Sequence, residues 1–130
     1  MKDKESSSDL LRYYREELKW NPPFAEAMGK YTPKALEGYL GMRQAVNEGA
    51  LPRKTVELLF TILDSLDDET AGAKAHAIAA IDAGLTVQEL VEAFNIVTIV
   101  KGINVMCKSG VAAIEAAEEH SRKNTEAESV

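Results

Sequence analysis

Apolar residues recur along most of this chain every three or four positions, the spacing that gathers side chains on one face of an α-helix. Leu10, Leu11, Tyr14 and Leu18 begin the pattern and predict a short helix from about Ser8, ended by Trp20-Asn21-Pro22-Pro23. A second short helix is expected from Phe24 to Lys30. Thr32-Pro33 reads as an N-cap followed by proline at the first helical position. The helix it opens runs through Asn47, with Leu36, Tyr39, Leu40 and Val46 toward one side. Pro52 then opens the stretch around which the rest is organised, Glu57 to Gly84. This stretch reads as two antiparallel helices. The first is the nearly continuous apolar run Val56–Leu66, and the acidic cluster Asp67-Asp68-Glu69 suits the N-terminus of the second. That second helix is alanine-rich, carries His76 and stops at Gly84, a residue type that favours helix C-termini.

Beyond Gly84, Thr86 and Glu89 have capping-box spacing. In the following helix Val87, Leu90, Val91, Phe94 and Val97 keep a three-four rhythm, which outweighs the strand preference of its β-branched residues. Gly102 predicts a break, and a last amphipathic helix is expected from about Ile103 to Arg122. No segment reads as a strand. The fold class is therefore all-α, about six helices around a central antiparallel helix hairpin. Residues 8–122 form a single helical domain in this reading, between a disordered N-terminus (1–7) and a disordered tail (123–130). Val56–Leu66 and Val87–Val100 are apolar over more than one stripe, whereas a surface helix of a small monomer keeps a polar face. With one Trp and three Phe to fill a core, covering by a second copy of the chain is the favoured explanation.

Composition narrows the function classes. Among 130 residues, 45% are hydrophobic and 28% charged, as in a globular protein. A net charge of −6 with scattered basic residues argues against nucleic acid as a partner. The longest apolar stretch, Ala93–Val100, is too short to span a membrane, and MKDKESSSD is no signal peptide. A single cysteine, Cys107, allows no internal disulfide, which fits a cytoplasmic location.

The residues that suggest chemistry lie on the hairpin. Glu57 and His76 are about equally far from its turn and so sit at similar heights on facing helices. If both side chains face the seam, they form either a proton-transfer pair or a structural hydrogen bond between helices. Cys107 reads as a small buried apolar residue, and His120 as a solvated surface residue. The tyrosines Tyr13, Tyr14, Tyr31 and Tyr39 read as packing residues. A metal would need more converging ligands than His76, Glu57, Glu69 and Asp68 offer, and the alanines of AGAKAHAIAA indicate close helix packing. Neither a metal nor a cofactor is expected.

The run ALPRKTVELL, the segment HAIAAIDAG, the helix start TVQELVEAF and the segment VKGINVM resemble the carboxymuconolactone decarboxylase family, which includes the alkylhydroperoxidase D-like proteins. The likeness extends from about Tyr31 to Ile114 and implies an all-helical chain that assembles as a homotrimer or homohexamer. The family's peroxidase branch uses a Glu, a Cys-x-x-Cys pair and a His separated from the second Cys by three residues. Glu57 and His76 fall on its Glu and His, but Glu69 and Gly72 occupy the two cysteine positions. The motif's nucleophilic and resolving thiols are both missing, so peroxidase chemistry of that type is not expected, and a thiol peroxidase survives as a third reading only through Cys107 in an intermolecular disulfide. The decarboxylase branch converts a carboxylated muconolactone to an enol-lactone and needs acid/base work rather than a thiol pair. The resemblance thus implies acid/base chemistry of lyase type on a small organic acid or lactone. His76 would move the proton, Glu57 would orient it, and Glu69, with Gly72 leaving space beside it, would line the pocket. Glu69 would repel an anionic substrate unless protonated or paired, for instance with Lys74 or Arg53. Equally, Glu69 suits a first helical turn for structural reasons alone. A non-catalytic or ligand-binding oligomeric scaffold of the same family is the alternative.

Overall fold

The computed structural model describes residues 12–128, and every regular element among them is helical. The segment 1–7 and the helix start at Ser8 lie outside the described residues. Two compact units meet in sequence between Leu51 and Pro52. The first holds α1 (Tyr13–Leu18, a π-helical segment), α2 (Pro23–Tyr31) and α3 (Pro33–Asn47). The second holds α4 (Arg53–Leu66), α5 (Thr70–Asp82), α6 (Val87–Lys101), a π-helical turn (Met106–Gly110) and α7 (Val111–Glu128).

In the first unit Leu36 and Leu40 are buried as expected, but Arg43 completes their face while Tyr39 and Val46 stay partly exposed. Arg43 donates to Asn47 one turn on. Tyr14 is buried with its hydroxyl pKa pushed up, by burial first and by Tyr39 second. Tyr31 does not pack and is 75% exposed.

The second unit is built on the α4–α5 hairpin, its most extensive helix pairing. Both helices end in the same way. At the end of α4 the Glu69 amide donates to the Asp64 carbonyl and the Asp68 amide to Ser65, with Asp68 left-handed at φ 58°. At the end of α5 the Leu85 amide donates to Ala80 and the Gly84 amide to Ile81, with Gly84 at φ 108°. These are paired Schellman closures, satisfying carbonyls that a helix end would otherwise strand. Asp68 therefore terminates α4 rather than capping α5, since a short polar side chain tolerates the left-handed region. The Thr86–Glu89 capping box forms as the spacing predicts.

The inward face of α4 is largely polar. Val56, Glu57, Thr61 and Ser65 point inward and are essentially inaccessible, whereas Leu59 and Leu63 are about half exposed. The Thr61 and Ser65 hydroxyls donate to the carbonyls of Glu57 and Thr61, so these polar groups are satisfied within their own helix. Alanines on the facing α5 admit this close approach. Ala73, Ala77 and Ala80 of α5 and Ala113 and Ala117 of α7 share one buried cluster with the fully buried Phe94 of α6. Burying that ring contributes about 1.5–3 kcal/mol. Gly110 lets the turn before α7 approach it: a Cβ there would lie 3.2 Å from the Phe94 ring.

The last helix extends through Glu128, well past Arg122, so the tail expected to be disordered from residue 123 is helical to that point. Lys123–Glu119 and Arg122–Glu126 ion pairs stitch its surface, and Asn124 donates to Asp82 of α5. His120 bonds the same Asp82 carboxylate at 2.7 Å and so ties α7 to α5 rather than standing free in solvent.

Candidate functional site

Glu57 and His76 meet across the α4–α5 seam. The Nδ1 of His76 donates to Glu57 Oε2 at 2.7 Å, with the Glu57 side chain wholly buried and that of His76 7% exposed. Because an ionised carboxylate only accepts, this bond places the proton on Nδ1 and makes Nε2 the nitrogen through which the ring exchanges protons. Height along the helices was legible from the sequence. Rotation was set by the small side chains of α5, which bring the two backbones close enough for the pair to bond directly.

Three more side chains of α4 complete the arrangement. Arg53 donates through Nη2 to Glu57 Oε1 at 3.3 Å, one turn before it. Phe60 stacks on the His76 ring, centroids 4.9 Å apart and planes 21° from parallel. Asp64 Oδ2 lies 3.8 Å from His76 Nε2, beyond hydrogen-bond length. The imidazole is thus held between a buried carboxylate on Nδ1 and a partly exposed one, 31% accessible, on the Nε2 side. Burial pushes the Asp64 pKa up; His76 draws it down, and Glu69 and Asp67 push it up further.

Arg53, Glu57, Phe60 and Asp64 follow one another at steps of four, three and four, a single stripe on one helix face. That signal was present in the sequence. Apolar residues interleaved along the same run obscure it, and Arg53 pairs with Glu57 rather than with Glu69. Glu69 itself is exposed and lies just outside α5 as its N-cap residue, at φ −84° and ψ 72°, without a side-chain cap bond. The expected alignment of Glu69 with His76 over two helical turns assumed that Glu69 was helical. Its charge acts instead on Asp64. Gly72 is buried on α5, and Lys74 is exposed. Cys107, expected to be buried, is an exposed free thiol in the turn before α7. Among the described residues no set of three or more His, Cys, Asp or Glu side chains is placed to hold a metal ion. Nor is any helix among the described residues long and apolar enough to cross a membrane.

The model of the carboxymuconolactone decarboxylase family matches residues 33–119. The chain belongs to this family. Its structure is similar to the crystal structure of a candidate carboxymuconolactone decarboxylase from Burkholderia xenovorans LB400, with a TM-score of 0.80 and 29% sequence identity. The match covers 92% of this chain and 96% of the other. No curated protein sequence matches the chain significantly. Family membership agrees with the all-helical fold and carries the matched segment across α3 to α7, including Glu57 and His76.

Proposed function

We propose that this member of the carboxymuconolactone decarboxylase family is an acid/base catalyst of lyase type acting on a small organic acid or lactone. The observation that carries the reading is the 2.7 Å bond from His76 Nδ1 to the wholly buried Glu57. A carboxylate in that position holds one tautomer and one ring orientation, which is what a positioned general acid/base requires. In this reading His76 exchanges the proton through Nε2, Glu57 positions the ring, and Phe60 restrains its tilt. Arg53 offsets the charge of the buried carboxylate. Thiol peroxidase chemistry is left out of the reading, because Glu69 and Gly72 stand where that chemistry places its cysteines.

A second reading is favoured by the same burial. Arg53, Glu57 and His76 also form a polar clasp between elements, as a non-catalytic scaffold would keep. Screening carboxylated and uncharged lactones for turnover, beside a His76→Ala variant, separates the two. Turnover by the parent that a folded variant loses supports catalysis. A variant that keeps full activity overturns the role of His76. No turnover by either, with a large loss of stability in the variant, supports the scaffold.

We propose further that the working form is a homo-oligomer, trimer or hexamer. Ile96, Ile99, Val100 and Ile103 form a run on and just after α6 that is 56–84% exposed, and Leu59 and Leu63 of α4 are 46% and 56% exposed. Contiguous apolar surface of this kind marks association sites.

A further inference from the structure

The geometry points to a substrate that presents an uncharged group to His76, with Asp64 as the residue that turns carboxylates away. This rests on the acid/base reading above and deepens it: of an organic acid and a lactone it selects the lactone, and in place of a lyase step it selects a proton shift.

Placed charge makes the selection. Anything that reaches Nε2 of His76 approaches the Asp64 carboxylate, whose Oδ2 is 3.8 Å from that nitrogen. Glu69 and Asp67 add their charge to the same neighbourhood, each raising the Asp64 pKa in addition to the larger effect of burial. The cation on the α4 stripe, Arg53, is bonded to Glu57, on the Nδ1 side of the ring. Lys108 pairs with Asp68 at 3.9 Å, both side chains 65% exposed, where water screens them. A carboxylate on the substrate would therefore meet negative charge on the Nε2 side. Like charges at such separations in a partly dehydrated setting repel by more than RT. A lactone or ester carries no charge to repel, and its acidic C–H can approach the unprotonated Nε2.

The consequence for the chemistry is specific. A substrate without a carboxylate has no carbon dioxide to lose. What remains, for a lactone whose ring carries a carbon–carbon double bond next to the acidic carbon, is proton transfer: Nε2 takes a proton from the carbon beside the carbonyl, and the C–H pair moves into a dienolate. The imidazolium then returns a proton to a carbon of the conjugated system. No electrons are gained or lost, and the double bond has moved.

The test uses the intact protein and a matched pair of probes, γ-butyrolactone and the same ring bearing a 5-carboxylate. Binding is followed by NMR on the His76 imidazole signals, with His120→Gln used to assign them. In the parent, the uncharged ring should perturb His76 with a Kd at least about ten-fold below that of the carboxylated one. Asp64→Asn should narrow that ratio by at least about five-fold. Glu69→Gln, an exposed substitution that leaves the fold untouched, should narrow it by about two-fold. Equal or tighter binding of the carboxylated ring by the parent overturns the inference while leaving an accessible acid/base histidine in place. A ratio unchanged in both variants removes Asp64 as the discriminating residue. If neither ring perturbs His76 at saturation, both the inference and the acid/base reading fail together.

Discussion

His76 Nδ1 and Glu57 Oε2 are 2.7 Å apart, joining α5 to α4 through a carboxylate that has no exposed surface. A buried carboxylate is costly unless its charge is compensated, and here the compensation comes from two directions, His76 on one oxygen and Arg53 on the other. The contact is therefore both a buried polar link across the hairpin and the feature that aims the imidazole. Its two consequences, for stability and for chemistry, can be measured separately.

Removing the carboxylate leaves an imidazole and a guanidinium without their acceptor inside the hairpin. Glu57→Ala is expected to lower unfolding free energy by about 3–5 kcal/mol in urea denaturation. Glu57→Gln, which keeps the shape and one acceptor oxygen, should lose clearly less. Equal losses in the two variants would show that the side chain contributes by filling space rather than by pairing.

Asp64 gives a pH dependence of known sign. Its folded pKa is raised by burial above the ordinary 3.8, so the folded chain binds that proton more tightly than the unfolded chain does. The associated stability is present at low pH and lost as pH rises through the raised pKa. Asp64→Asn cannot ionise and should be more stable than the parent at pH 7.5, by up to about 1 kcal/mol after allowing for solvent screening. The difference should close as pH falls toward 3.8. Thermal melts of both proteins across that range check it. A variant less stable than the parent at pH 7.5 would mean that attraction to His76 outweighs burial.

Gly110 is required by space rather than by backbone angle. A methyl group there would sit 3.1 Å from the Val105 carbonyl oxygen and 3.2 Å from the Phe94 ring. The crowding falls between backbone and a fully buried ring, neither of which yields easily. Gly110→Ala is expected to cost about 1–3 kcal/mol by chemical denaturation. A neutral result would show that the turn before α7 shifts to accept it.

The exposed run of α6 predicts self-association. The parent should sediment as a trimer or hexamer at micromolar concentration, and Ile99→Glu, at a position 84% exposed, should shift it toward monomer without unfolding it. A stable parent monomer would remove the oligomer from the proposed function.

Helix content, order and most boundaries were legible in the chain, because each depends on near neighbours. Thr86 and Glu89 lie within one helical turn of each other and form the predicted box. Gly84 ends α5 because its backbone adopts φ 108°, and glycine adopts such an angle without strain. Pro33 opens α3 by its ring geometry alone. The end of α7 was missed because its support includes Asp82, far away in sequence, which receives His120 and Asn124.

By itself, then, the sequence determined that this chain is helical, that a hairpin carries an acid and an imidazole at matched heights, and that the redox cysteines are absent. Only the tertiary structure decided which way each helix is turned. Rotation about a helix axis depends on how closely the neighbouring helix packs, and the alanines of α5 let the polar stripe of α4 face inward. That rotation buried Glu57, stacked Phe60 on His76 and put Asp64 beside Nε2. It also turned Leu59 and Leu63 outward. A hydrophobic pattern read along one helix assigns its apolar residues to the core, but the depth of a carboxylate is set by the partners that compensate its charge, and those partners come together only in three dimensions.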